Sequence, residues 1–261
     1  MTDRDRRSVA GWLLLCAAFH FQHPHRLRAL SAAGLGLVLA VVAASAAIRL
    51  GADVLQGTPL ALVRGLHRAA ASLEVIVVLW LGWLAWRVRG GKPGVFRAAM
   101  LAIGVSAFLS VIGIVAGQNP PAAAAVANLL GGLALTALFA WLLGMLKRQP
   151  ARMGLTLAFA VGVLLAIQLL LGARLSLIDR VGMALPLHAL LAMALAALLG
   201  WMGLARVRGR AGKAIFALAL AVPLAGFTAL HYDHSAAAAL VHAALAALLL
   251  AAAAHAFGRG A

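Results

Sequence analysis

Long apolar stretches dominate the chain, and short polar or basic segments separate them. A helix needs about 20 apolar residues to cross a bilayer. On that basis the hydropathy pattern predicts eight membrane-spanning helices, and the short connections leave no room for a soluble domain. The predicted fold class is therefore an all-α integral membrane protein. The approximate bounds are Ala29 to Leu50, Leu60 to Trp86, Arg97 to Ala116, Pro121 to Leu146, Met153 to Ala173, Val181 to Leu204, Gly212 to Leu230 and Ser235 to Phe257.

An internal repeat divides these helices into two sets of four. The first and fifth helices each end with an arginine, Arg49 and Arg174, shortly before an acidic residue. The fourth and eighth helices begin alike, with the alanine-rich stretches 122–128 and 236–242. Because four is even, both halves have the same orientation, and a pseudo-twofold axis along the membrane normal should relate the two bundles. The predicted organisation is an N-terminal segment 1–28, a first four-helix half 29–147 and a second four-helix half 148–261.

Composition supports a membrane location and explains the high charge. The chain is 65% hydrophobic and 11% charged, and its mean hydropathy is +1.03, whereas soluble domains are about a quarter charged. Of the 22 Lys and Arg residues, 17 lie in the N-terminal segment, in the turns from even to odd helices and in the tail. This is the positive-inside pattern. It predicts a multi-pass protein of the cell inner (plasma) membrane with both termini cytoplasmic, the lipid bilayer as its partner and no nucleic acid.

The N-terminal segment carries less information. Residues 9–21 are apolar but too short to span, so they predict an amphipathic interfacial helix, with a retained signal-like segment as the alternative. The single cysteine cannot form an intramolecular disulfide and does not indicate the redox compartment. Four potential metal ligands in this segment are read as incidental, because it should fray before Pro24. They are Cys16, His20, His23 and His25.

Four polar residues recur near the start of the even helices: His67, Asn128, His188 and His242. Counted from the predicted first residue of its helix, each lies about two turns, roughly 10 Å, inside the apolar zone. A strongly polar side chain there is costly and usually faces the bundle interior. Histidines at matched depth in parallel helices are typical of axial ligands to haem iron.

The two halves differ at this position. His188 and His242 predict a b-type haem between helices of the second half. The alternatives are core histidines bonded to backbone or to each other, another metal, or a proton relay. His67 and Asn128 form the matching site in the first half, where asparagine is a poor iron ligand. An open position there suits a substrate haem or a reacting centre, or else the site has decayed into packing.

Other polar residues extend these predictions. Arg49, Arg68 and Arg174 are candidate partners of haem propionates, with snorkelling at the interface as the alternative. Glu74 follows His67 by seven residues, on the same helical face and two turns deeper. It is a candidate catalytic residue for proton transfer, or a bonded core residue. The turn 231–234, with two histidines and an aspartate, is either a metal site or a solvated loop.

These features together resemble the haem A synthase family. The local string Leu66-His67-Arg68, the pair Arg49-Leu50, and Gln168 followed by Leu171-Gly172-Ala173 are similar to that family's motifs. The resemblance covers about Ala29 to Phe257. It implies a cofactor haem b held by His188 and His242, and a first-half site around His67 where the methyl group of haem O is oxidised to the formyl group of haem A. It also implies haem O synthase or terminal oxidase assembly proteins as partners, and it leaves homo-oligomerisation open.

Three departures from the family pattern fall on the first half. Arg64 stands where the family usually has a glutamate three residues before the histidine, and Asn128 replaces a second histidine. The segment Gly51 to Pro59 is short and lacks the cysteine pair that the family's loops often carry. The expected function is a haem A synthase-like enzyme or a diverged haem-handling relative. One alternative is a b-type membrane cytochrome that transfers electrons without making haem A, and the other is a small-molecule carrier with structural histidines.

Overall fold

Eight α-helices make up the described part of the chain in a computed structural model. The structure describes residues 3–51, 55–117, 120–147, 155–177, 183–207, 209–231 and 235–259, with side chains from residue 24 onward except that of residue 155. All eight helices are long and apolar enough to span a membrane, which confirms the predicted fold class. They are α1 Asp3–Leu50, α2 Thr58–Arg87, α3 Pro93–Ala116, α4 Ala122–Met145, α5 Leu155–Leu177, α6 Ala184–Ala205, α7 Arg210–His231 and α8 Ala236–Gly258.

The helix ends correct several predicted bounds. The backbone continues as one helix through Pro24, so the predicted end of a separate N-terminal helix there was wrong. Proline inside a membrane helix is tolerated where neighbouring groups satisfy the freed backbone atoms. Helix α3 begins at Pro93, since proline favours the first helical turn. Its Arg97 therefore lies inside the helix, and a long arginine side chain can reach the membrane surface from there.

The first four helices close into a bundle in which each helix packs against the next and α4 packs back against α1. Phe139 of α4 is completely buried. It lies against Gly34 of α1, where any added Cβ would collide with the aromatic ring. Leu81 and Leu84 of α2 and Leu142 of α4 fill the same core. The close helix contact at Gly34 is typical of membrane bundles, which associate through small residues and tight packing.

The second four helices are arranged more loosely. Helices α6, α7 and α8 pack in sequence, but within the described residues α5 scarcely touches α8. Instead α5 packs against α6 and, across the boundary between the halves, against α4. The halves meet mainly along α4 and α8, where Gly144 and Gly258 let the two backbones approach so closely that a Cβ on either would collide with the other helix. The second bundle thus lacks the closing contact that α1 and α4 make in the first.

A sequence shared by the ends of α2 and α6 allows residues of the first half to be aligned with those of the second. Both contain a Leu-Gly-Trp sequence, at 81–83 and 199–201. In each, an arginine lies over the tryptophan, with Arg87 5.1 Å from the Trp83 ring centre and Arg206 5.3 Å from that of Trp201. Pairs of an arginine and a tryptophan are favourable at a membrane interface. We call the membrane side on which α2, α4, α6 and α8 end the basic side, and the other the opposite side.

Candidate functional site

His188 of α6 and His242 of α8 lie next to each other in the second bundle. Their ring centres are 6.3 Å apart and their planes are inclined by 72°. His188 lies four residues after the start of α6 and His242 six residues after the start of α8, so equal counts from the helix starts were not a correct measure of depth. The rings nevertheless meet because the helices begin at different heights. Of the predicted site residues, this pair is brought together.

His242 has the second contact that a metal-ligating histidine needs. Its Nδ1 lies 2.9 Å from the backbone carbonyl oxygen of Val222 in α7. Since a carbonyl only accepts, Nδ1 carries the proton and donates it, which leaves Nε2 with a free lone pair. Ligating histidines commonly donate their other N–H in this way, and the bond fixes both tautomer and ring orientation. Pro223, which follows Val222, lies inside α7 and removes one intrahelical hydrogen bond there.

His188 is held from α5 by Gln168. The amide Nε2 of Gln168 donates to the backbone carbonyl of His188 at 3.1 Å and lies 3.3 Å from the ring Nε2. Two buried atoms of this pair have no partner, Oε1 of Gln168 and Nδ1 of His188. Leaving a buried polar atom unpaired costs about 1 to 3 kcal/mol. A buried polar atom without a partner therefore calls for an explanation, such as a bound group that would pair with it.

Two glycines make room for the two rings. A Cβ added at Gly172 of α5 would lie 3.1 Å from Cε1 of His188, and one added at Gly226 of α7 would lie 3.0 Å from Cε1 of His242. Gly172 follows Gln168 by four residues and so shares its helical face. All four helices of the second bundle therefore contribute to the site, each ring being carried by one helix and cradled by its neighbour.

A small apolar cavity of about 50 Å³ lies beside the pair, towards the basic side. Its lining comes from all four helices of the second bundle and includes Leu165, Ala192, Pro223 and Ala246, with Gln168 as its polar member. Apolar side chains beside two imidazoles suit a b-type haem. A pocket that holds a ligand of drug size measures about 300 to 1,000 Å³, so a haem would have to displace side chains that line this cavity.

The residues of this site fit a haem. Bonds from imidazole nitrogen to a metal ion are about 2 Å long, so two imidazoles in line through one ion have ring centres roughly 6 Å apart. The separation of 6.3 Å between His188 and His242 agrees with that. Nε2 of His242 is free to bind a metal ion, and Gly172 and Gly226 leave room beside both rings. Two neutral imidazoles are the donor set of a six-coordinate b-type haem.

The first-half residues are arranged differently. His67 is half-buried, and its Nδ1 donates to the carbonyl of Val41 in α1 at 3.2 Å. Asn128 is half-buried on α4, and among the described residues no hydrogen bond joins it to His67. With α2 and α6 aligned on their Leu-Gly-Trp sequences, the counterpart of His188 is Ala70. His67 therefore lies one helical turn closer to the opposite side than the register of the second bundle would place it.

The arginines proposed to bind propionates occupy different environments. Arg49 is half-buried, its Nε donates to the carbonyl of Ser45 at 3.2 Å, and its Nη1 is buried without a partner. Arg68 and Arg174 are exposed. Arg174 lies two residues beyond Gly172, at the end of α5 nearest the histidine pair. Within the described residues, none of the three arginines forms a hydrogen bond with His188 or His242.

Glu74 is deeply buried in the first bundle, with 5% of its surface exposed. The hydroxyl of Ser106 in α3 donates to its Oε1 at 2.9 Å. The predicted metal site at the turn 231–234 falls on residues that are largely outside the described part, where His231 alone is described and its ring stacks on Phe227. The described residues contain no group of three or more His, Cys, Asp or Glu side chains that could share a metal ion.

Several site residues could not be identified from the sequence pattern. Gly226, the Val222 carbonyl and Ser106 carry no recognisable signal, since glycine, valine and serine are ordinary in membrane helices. Gln168 and Gly172 were noted only through the family resemblance. His255, near the basic end of α8, was not singled out, and its Nδ1 donates to the carbonyl of Ala140 at 3.3 Å.

Fold and contacts together define a class of protein, an all-α multi-pass membrane protein with a histidine pair buried between helices. The chain matches no protein-family model and no curated protein. Similarity to haem A synthase therefore depends on the residues and spacings of the sequence itself.

Proposed function

We propose that the chain is a haem A synthase-like membrane haem protein whose second bundle holds haem b between His188 and His242. The observation that supports it most is the placement of these two rings, 6.3 Å apart, with His242 already bonded through Nδ1 to a backbone carbonyl. A bound haem b would supply one-electron redox chemistry in an apolar part of the membrane. The chain's own residues bind and orient it.

Gln168 completes the proposed site on the His188 side. Its unpartnered Oε1 is an acceptor, and the unpartnered Nδ1 of His188 is a donor when it carries the ring proton. A bond between these two atoms would replace the 3.3 Å contact of the Gln168 amide with Nε2 and leave Nε2 free to bind iron. The two atoms are complementary, so Gln168 can give His188 the bond that Val222 gives His242. Both ligands would then have their second ring nitrogen satisfied by a neighbouring helix, as ligating histidines generally do.

The first bundle would hold the substrate, haem O, through His67. The carbonyl of Val41 takes the Nδ1 proton of His67, which leaves Nε2 free to bind iron. The matching position on α4 carries Asn128, whose amide is a poor iron ligand. A single ligand and an open face suit a substrate that must bind, react and leave, with its methyl group oxidised to a formyl group.

Spectroscopy of single variants tests the haem b assignment. His188→Ala and His242→Ala each remove an axial ligand, so the low-spin reduced spectrum should disappear or become high-spin. His67→Ala, the matched control in the first bundle, should leave it largely intact. Loss of the low-spin signal in His67→Ala together with its survival in His242→Ala would show that the haem lies in the first half. Mass spectrometry of extracted haem identifies the bound form.

A b-type cytochrome without synthase activity is the second candidate. It is favoured by the first-half arrangement, because within the described part of the chain no hydrogen bond joins Asn128 to His67, and because Arg64 stands where the family has a glutamate. Expression with a source of haem O separates the two. Accumulation of haem A above the vector control supports the synthase, and its absence in a protein that retains haem b supports the cytochrome.

A further inference from the structure

Glu74 is the only acidic residue within the eight membrane spans. The other five acids are aspartates at positions 3, 5, 53, 179 and 233, which all fall outside those spans. Glu74 is also the only glutamate of the chain. A carboxyl group in the apolar zone is costly and marks a functional site by default. The haem sites described above do not use it.

The surroundings of Glu74 differ on its two sides. Towards the basic side, the α2 face below it continues with Val78 and Leu81, and the facing α3 positions are Ala99 and Ala102. Each of the four exposes at most 1% of its surface. No water path fits through such a close-packed apolar layer. Protons cannot reach the carboxyl group from the basic side by this route.

Towards the opposite side, the same interface becomes small and polar. Ser106 donates to Glu74 Oε1 at 2.9 Å, and one turn further along α3 the hydroxyl of Ser110 donates to the Ser106 carbonyl at 2.8 Å. On α2, one turn from Glu74 towards the opposite side, lie the small residues Ala70 and Ala71, which are only half-buried. The interface on this side is therefore more polar and less completely buried than the apolar layer on the basic side.

We propose that Glu74 is a proton-binding site with access from the opposite side of the membrane only. A proton from water on that side adds to the carboxylate to give the carboxylic acid, and the reverse step returns it, with no change in any carbon bond and no electron transferred. Ser106 positions the carboxyl group through its hydrogen bond. The proposal does not depend on haem, since it involves neither the His188–His242 pair nor His67.

The other charged or titratable side chains of α1, α2 and α3, which could pair with Glu74 or exchange protons with it, lie nearer the helix ends. Helix α2 packs against α1 and α3. Among the described side chains of these three helices, the titratable or charged groups other than Glu74 lie nearer one end or the other. On the basic side they are His25, Arg26, Arg28, Arg87 and Arg97, and towards the opposite side they are Arg49, Arg64, His67 and Arg68. None of these described groups forms an ion pair with Glu74, whose hydrogen-bond partner is the neutral hydroxyl of Ser106.

The second bundle supplies an internal contrast. When α2 and α6 are aligned on their Leu-Gly-Trp sequences, Ala192 of α6 corresponds to Glu74 of α2. The buried residues of α3 and α7 have the same spacing, and aligning them makes Pro223 the counterpart of Ser106. Ala192 and Pro223 both line the apolar cavity of the second bundle. The corresponding place is thus polar and hydrogen-bonded in one half and apolar in the other, so the Glu74 site is not a general feature of the fold.

Carbodiimide labelling tests the proposal. Dicyclohexylcarbodiimide adds to protonated carboxyl groups in apolar surroundings, and mass spectrometry of the full chain locates the adduct. In vesicles that contain the protein in one orientation, with the pH set separately on the two sides, Glu74 should be labelled. Labelling should fall several-fold when the pH is raised on the opposite side and should not respond to the pH on the basic side.

Matched variants sharpen the result. Glu74→Gln should lose the adduct. Ser106→Val removes the hydroxyl and narrows the route, so labelling should respond more slowly to pH on the opposite side. Thr136→Val removes another buried hydroxyl of the same bundle, one bonded to the carbonyl of its own helix, and should behave like the parent protein. Labelling that follows the pH of the basic side, that follows both sides equally, or that never occurs at Glu74 in folded parent protein would overturn the proposal.

Discussion

The two halves share a helix pattern but differ in how they are filled. The first bundle is closed by α1 against α4, and Phe139 and Leu81 occupy its interior. In the second bundle the backbones of α5 and α8 stay apart within the described residues, the interior contains a cavity, and Gln168 of α5 donates a hydrogen bond to the backbone of His188. Duplicated helices can therefore serve two purposes. The first half is filled by its own side chains, and the second retains a small apolar cavity beside the histidine pair, which is where we propose that a haem binds.

The unpaired buried atoms of the second bundle and its looser packing have the same consequence for stability. Buried polar atoms without partners and a poorly closed interior both reduce stability. A haem bound between His188 and His242 would fill the interior and pair with both rings. The second bundle should accordingly depend on its ligand for stability, whereas the first should not.

The largest expected effect is on the closed bundle. Phe139→Ala should lower the free energy of unfolding by about 3 to 5 kcal/mol, because a completely buried aromatic ring is removed and leaves a cavity. Thermal unfolding in detergent, followed by circular dichroism, measures it. Phe159, on α5 of the second half, is 73% exposed, and its replacement by alanine is the matched control, with an expected change within about 0.5 kcal/mol. Equal losses in both variants would contradict the difference in packing.

A smaller effect is expected from closing the space around the rings. Gly226→Val or Gly172→Val pushes side-chain atoms against His242 or His188, and overpacking of this kind costs about 1 to 3 kcal/mol. Haem affinity should fall roughly 5- to 150-fold, as measured by titration of the apoprotein. Gly162→Val on α5 is the control, since a Cβ there meets nothing within 4 Å. Unchanged affinity in both cradle variants, or an equal fall in the control, would place the haem elsewhere.

Much of the fold could be predicted because its determinants are local. A bilayer forces its spanning segments into helices long enough to cross it, so hydropathy alone located all eight. Helix starts were less predictable, since they depend on features such as Pro93 and the place of Arg97 inside the first turns of α3. The equal counts of residues from the helix starts were wrong for that reason, since hydropathy does not define those starts. The rings of His188 and His242 nevertheless lie side by side.

The candidate site was only half predictable. Histidine in the apolar zone is rare and costly, so His188 and His242 could be chosen from the sequence. Their supports come from other helices, and a sequence does not say which glycine or which carbonyl faces a given ring. Gly226 and the Val222 carbonyl became visible only through the packing of α7 on α8. The Ser106 partner of Glu74 likewise required the geometry of α2 against α3.

The smallest expected effect concerns the link between α5 and the histidine pair. Gln168→Leu keeps the size of the side chain but removes the amide that contacts both the backbone and the ring of His188. Hydrogen bonds between membrane helices stabilise by only about 0.6 to 2 kcal/mol, so the apoprotein should unfold at nearly its usual temperature. If Gln168 also bonds the ring of the haem ligand, haem affinity should fall about tenfold, the lower end of what such supporting contacts contribute. Thr136→Val in the first bundle should change neither quantity. A Gln168→Leu protein with normal haem affinity and lowered stability would show that the amide only ties α5 to α6, and the two halves would then differ in packing but not in how they hold a ligand.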